Sequence, residues 1–92
     1  MTELNDLRGE IDRIDGELTA LFARRMEVSA RIARCKAERG LPVLDASREA
    51  EKLQSIADML PPELREDGQT LYRLLFALSR GYQEKLLRGE VK

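Results

Sequence analysis

In the N-terminal half of the chain, Leu4, Leu7, Ile11, Ile14, Leu18, Leu21, Arg25, Val28, Ile32 and Cys35 follow one another at alternating spacings of three and four. That is the period of a helix with a single buried seam. The seam predicts a long first helix, which Asn5 or Asp6 can cap and which Gly40, followed by Pro42, brings to an end. Gly9 and Gly16 weaken it by up to ~1 kcal/mol each relative to alanine. The segment GLPVLD, residues 40–45, reads as a connection, because proline has no amide hydrogen and restricts the residue before it. Asp45 is placed to cap a second, short helix whose stripe of Leu53, Ile56, Ala57 and Leu60 stops at Pro61 and Pro62. PPELREDGQ then reads as a polar connection. Leu71, Leu74, Leu75, Leu78, Tyr82 and Leu86 mark a third helix running nearly to the C-terminus. No alternating strand pattern occurs, so the expected fold is all-α, with a long, a short and a medium helix.

A helix of roughly 30 residues is about 45 Å long, more than two shorter helices can easily cover in a chain of this size. Its surplus apolar face calls for a partner. The simplest is a second copy, giving a two-fold homodimer in which the long helices pack together.

Composition narrows the range of functions. The 92 residues contain no linker and no charge block, so residues 1–92 are expected to form one domain. Sixteen Lys+Arg against 17 Asp+Glu leave a net charge of -1, which gives no general attraction for nucleic acid or an anionic membrane. Any cationic site must be local. One cysteine and no histidine exclude an internal disulfide framework and leave only scattered carboxylates as metal ligands, so a zinc or haem enzyme is not expected. Cys35, on the seam, is expected to be a small core residue. The acidic, amphipathic N-terminus does not resemble a signal peptide, and no apolar run approaches the ~18 residues of a membrane span. A soluble, cytoplasmic protein is the expectation.

Against this background the polar residues on the apolar stripes stand out. Arg25 takes a seam position, and Lys36, eleven residues later, returns to within about 20° of the same direction some 16 Å farther on. Either alone reads as a snorkelling or helix-terminal cation. Glu49 heads the stripe of the second helix, next to Arg48, where a first-turn glutamate favoured by the helix dipole is the plain reading. Ser79 and Gln83 lie one turn apart beside the stripe of the third helix, where each alone could be a local or surface group. Together, each helix carries hydrogen-bonding groups at its buried face, and such groups must be satisfied by one another or by a ligand. Cations outnumber nearby acids, so a compact ligand with more than one anionic group is the chemical complement. Guanidinium groups grip carboxylates bidentately, and no glycine-rich phosphate loop is present.

The ordered segments LRGEIDRID, ALFARR, RIARCK, PVLDASRE and LYRLLFALSRGYQ resemble the small all-helical chorismate mutases over Leu7 to Gln83. The resemblance implies an intertwined homodimer that converts chorismate to prephenate by a concerted Claisen rearrangement, in phenylalanine and tyrosine biosynthesis, without metal, cofactor or covalent intermediate. It implies that residues matching Arg8, Arg25 and Arg48 hold the two substrate carboxylates, aided by Ser79. Lys36 and Gln83 would donate to the ether oxygen of the breaking bond, while Asp45 and Glu49, with Lys36 near, would engage the ring hydroxyl. Ile32 counts among the substrate contacts. Arg8 precedes Lys36 by 28 residues, about 42 Å along one straight helix, so it is expected to act from the partner chain. The connection after the second helix is shorter than is usual in the family, and Pro61 and Pro62 bear on where that helix ends.

Relatives of this fold cleave isochorismate with loss of pyruvate or rearrange the amino analogue of chorismate. Asp45 and Glu49 favour a mutase over the lyase. A non-catalytic helical dimerisation module, its buried charges serving only to fix register, is the alternative from a different class. With no spare segment for a regulatory domain, the isolated chain is expected to be insensitive to aromatic amino acids.

Overall fold

The computed structural model describes residues 2–90 and contains three α-helices, α1 (Thr2–Glu38), α2 (Ala46–Met59) and α3 (Arg65–Leu87), with a 3-10 turn at Pro62–Leu64. The first helix is longer at its start than expected, so Asn5 and Asp6 lie inside it rather than capping it. Its end follows the chemistry of glycine. Gly40 adopts φ 67°, and two amides turn back, Gly40 N to Ala37 O at 3.2 Å and Leu41 N to Lys36 O at 2.8 Å. That pair satisfies two of the carbonyls a helix terminus leaves open.

Asp45 caps α2 as expected, its Oδ1 accepting from Arg48 N at 3.0 Å. At the other end Leu60 is extended ahead of the two prolines, and the Arg65 guanidinium donates to Leu60 O at 3.0 Å. The polar stretch after Pro61 departs from expectation. Pro62 opens the 3-10 turn and α3 begins at Arg65, so most of the supposed connection is helical. Proline suits a first turn, where no amide hydrogen is needed, and Glu66 and Asp67 sit at the positive end of the helix dipole. Gly68 allows the corner to close: a Cβ there would stand 2.2 Å from Leu60 Cδ1.

Helix α3 packs against both α1 and α2. The resulting body is elongated and flat, 56 × 32 × 14 Å. Its radius of gyration is 16.5 Å, against about 12 Å for a self-contained globule of this length. So open an arrangement encloses little core. The buried apolar residues are Ala30, Ala33, Ile56, Ala57 and Phe76, and no large side chain is fully buried.

The direction of burial also differs from the sequence reading. On α1 the buried residues are Ser29, Ala30 and Ala33, while Leu4, Leu7, Ile11, Ile14, Leu18, Leu21, Val28 and Ile32 are all exposed, Leu21 to 60%. Small residues let α3 approach closely, and this rotates the aliphatic seam away from it. Cys35 is exposed rather than core for the same reason. On α3 the inward stripe is Phe76, Ser79 and Gln83, whereas Leu71, Leu74 and Leu78 point out. Only α2 buries the stripe its sequence announces, through Ile56 and Ala57 with Leu53 and Leu60 half-buried. Among the described residues no helix is long and apolar enough to cross a membrane.

Candidate active site

Where the C-terminal part of α1 passes the start of α2 and the end of α3, the helices leave an open cavity of about 530 Å³. Helix α1 contributes Arg25, Ser29, Ile32 and Lys36 to its wall; the connection contributes Val43 and Asp45. Arg48, Glu49 and Lys52 come from α2, and Phe76, Ser79, Arg80 and Gln83 from α3. Lys36, Gln83, Glu49, Arg25, Arg48, Asp45, Ser79 and Ile32 thus share one cavity, while Arg8 does not reach it and lies exposed on the distant half of α1.

Arg25 is fixed from two sides. Its Nη1 donates to Ser79 Oγ at 3.3 Å, and its guanidinium carbon lies 5.8 Å from the ring centroids of both Tyr72 and Phe76. The two rings meet edge-on, with centroids 6.0 Å apart. Aromatic faces hold a guanidinium without neutralising it, so the cation stays available to an anion. Lys36 reaches back over the end of its own helix, its Nζ donating to Val43 O at 2.9 Å. An ammonium has three donors, so this contact pins the chain and leaves others for a ligand.

The acids of the site are already engaged. One oxygen of Asp45 caps α2. Glu49 receives Arg80 Nη1 on both carboxylate oxygens, at 2.6 and 2.5 Å, in a half-buried ion pair. Among the described residues, ion pairs occur only here and between Arg88 and Glu90, so Arg25, Lys36, Arg48 and Lys52 have no acidic partner. Five cationic side chains face two carboxylates across the cavity, a surplus of three positive charges. Such a surplus is the electrostatic complement of a small polyanion.

In the cavity wall Ser29, Ser79 and Gln83 form a buried polar cluster. The two hydroxyl oxygens are 2.8 Å apart, and Gln83 Nε2 donates to Ser29 Oγ at 2.6 Å. Gln83 Oε1 is buried without a partner. Sequence reasoning missed Ser29, Arg80, Lys52 and Phe76. Ser29 and Phe76 each had a signal: Ser29 stands one turn from Arg25, and Phe76 one turn from Ser79 and two from Gln83, on the faces that carry those groups. Arg80, adjacent to Ser79, had none.

A family model described as chorismate mutase type II matches residues 7–84. The chain belongs to that family. Of its relatives, the Intracellular chorismate mutase of Mycobacterium tuberculosis is 39% identical over 79 residues, covering 86% of this chain and 70% of that protein. The T-protein of Haemophilus influenzae is 44% identical over 55 residues, 60% of this chain but 15% of its own length. The 4-amino-4-deoxychorismate mutase of Streptomyces venezuelae is 41% identical over 51 residues, about half of each chain. The chain therefore spans most of the mycobacterial relative and only a small part of the T-protein. No solved structure matches it at a significant level.

Proposed function

We propose that the protein is a chorismate mutase acting as a two-fold homodimer, and that the cavity binds chorismate and promotes its concerted rearrangement to prephenate. The observation that carries this reading is the cationic surplus of the cavity, with Arg25, Lys36 and Arg48 unpaired beside a buried carboxamide. Arg25 and Arg48 take the two carboxylates, assisted by Ser79. Arg8 of the partner subunit completes the grip, since the exposed apolar seam of α1 lets a second, antiparallel α1 bring it across.

A pericyclic step transfers no proton and needs no nucleophile. Rate acceleration comes from holding the side arm over the ring and from donors aimed at the ether oxygen, where negative charge grows as the C–O bond breaks. Lys36 and Gln83 supply those donors. Both are fixed beforehand, by Val43 O and by Ser29, so little reorganisation accompanies the reaction. Asp45 and Glu49 accept from the ring hydroxyl, and the Arg80 contact holds Glu49 at the cavity wall. Ile32 supplies apolar surface against the ring.

A second reading, rearrangement of 4-amino-4-deoxychorismate, is favoured by the Streptomyces relative, because an amine can replace the hydroxyl opposite two carboxylates. Loss of ultraviolet absorbance on incubation with chorismate tests the first reading, with the amino analogue as one parallel arm and pyruvate release from isochorismate as another. Turnover of chorismate well above the other two is expected. Preference for the amino analogue would replace the first reading with the second. Pyruvate release, or a folded protein inactive on all three, would overturn both.

A further inference from the structure

Ser29 has no place in the reading above except as a neighbour, yet it is more deeply buried than any residue assigned to substrate. It is 5% exposed, against 7% for both Ser79 and Gln83. A serine in that position among Ala30, Ala33 and Phe76 would be readily replaced by alanine if it served only packing. Its hydroxyl instead stands at the junction of the polar cluster. The oxygen accepts from Gln83 Nε2 at 2.6 Å and lies 2.8 Å from Ser79 Oγ.

Either hydroxyl of the pair could donate to the other, and one direction satisfies every group in this network but one. Ser79 Oγ accepts from Arg25 Nη1 and has Met26 Sδ 4.0 Å away as an outlet for its own hydrogen. In that direction Ser29 donates to Ser79 and turns its lone pairs toward Gln83, whose NH₂ end faces them, as the 2.6 Å contact has it. The other end, Oε1, is left buried and unpartnered. A carboxamide has two nearly isosteric orientations, and its hydrogen-bond partners decide between them. With Ser29 as acceptor, one amide hydrogen is occupied and the nitrogen is held at the cavity wall, where its second hydrogen remains for a ligand.

We infer that Ser29 is a positioning residue that orients the Gln83 carboxamide with its nitrogen toward the ether oxygen of the substrate, and that through Ser79 it ties this donor to the carboxylate-binding Arg25. The inference rests on the proposed mutase activity. Ser29 touches no reacting atom. Its contribution is to reject the amide orientation that would present a carbonyl oxygen to an oxygen gaining negative charge.

The test combines kinetics with a spectroscopic readout. Ser29→Ala is expected to lower kcat by about tenfold, part of the 10²- to 10³-fold effect of losing a preorganised donor, with KM little changed. Ser29→Ala combined with Gln83→Leu is expected to be no slower than Gln83→Leu alone, because the serine acts through the amide. In ¹⁵N-edited NMR spectra of the protein, Ser29→Ala should shift the Gln83 side-chain NH₂ pair and speed its exchange with solvent. Multiplying effects of the two substitutions, a rise in KM alone, or an unchanged NH₂ pair would each overturn the assignment. A Ser29→Ala variant that fails to fold is replaced by Ser29→Cys, which keeps the size and weakens the acceptor; the same amide shift is required of it. Wild-type protein inactive on chorismate would refute the functional reading, and the inferred role toward the ether oxygen with it. An altered amide spectrum in Ser29→Ala would then show that the failure lay in the reaction and not in the Ser29–Gln83 contact.

Discussion

The two halves of α1 have the same period and opposite fates. From Arg25 to Lys36 the helix is covered by α3, buries Ser29, Ala30 and Ala33, and lends its polar groups to a cavity. From Leu4 to Leu21 it carries six aliphatic residues at seam positions, all between 42% and 60% exposed, with nothing of its own chain to cover them. The difference shows what each half is for. The second half is covered on one face by its own chain, although Val28 and Ile32 of its seam stay exposed. The first is covered by nothing of its own chain, and on the proposed reading the same helix of a second copy covers it. Packing of apolar faces between layers is the rule for stable domains, and the seam from Leu4 to Leu21 has no layer of its own chain over it.

Breaking the first half should have the largest effect. Ile11→Asp combined with Ile14→Asp buries two charges in the proposed dimer contact, and loss of both dimerisation and turnover is expected, read by sedimentation and by the chorismate assay. A monomer retaining full activity would contradict the comparison. In the second half, Lys36→Ala removes a donor to developing charge, and kcat should fall about 10²- to 10³-fold in a protein that still dimerises. A smaller consequence follows from Arg80→Ala, which frees Glu49 at the hydroxyl end. A loss of about tenfold in kcat/KM is expected, and it should shrink for a substrate analogue without the ring hydroxyl. Least affected should be Gly68→Ala, at the corner between α2 and α3 and outside the cavity wall. It forces the Leu60 side chain aside and should cost about 1–3 kcal/mol in denaturant unfolding while kcat stays near wild type.

The sequence made the elements legible because their ends are written in local chemistry. Gly40 with Pro42, the Asp45 cap and Pro61 with Pro62 act within a few residues, so no tertiary knowledge is needed to place them. The start of α3 escaped because a polar stretch behind two prolines resembles a loop. The acids Glu63, Glu66 and Asp67 after Pro62 were the signal that a helix dipole begins there. Periodicity also could not say which neighbouring face of α1 turns inward within one chain. That choice belongs to Ser29, Ala30 and Ala33, whose small size permits close approach to Phe76, Ser79 and Gln83, and size matching between distant helices is not a local property.

The candidate site was legible in part for the same reason. Arg25, Lys36 and Glu49 interrupt apolar stripes, and an interruption can be seen in one dimension. Arg80 and Ser29 interrupt nothing. Their importance lies in contacts across 31 and 54 positions of sequence, to Glu49 and to Gln83, which only the packed helices create.

The most direct test of the account is complementation between two inactive variants. Arg8→Ala and Lys36→Ala chains, unfolded together and allowed to reassemble at equal amounts, would give mixed dimers in half of the population by random pairing. One of the two sites in each mixed dimer would contain both an intact Arg8 and an intact Lys36, so activity should return to about one quarter of wild type. Recovery to that level is the predicted result. A mixture no more active than the separate variants would contradict the claim that each site is built from two chains.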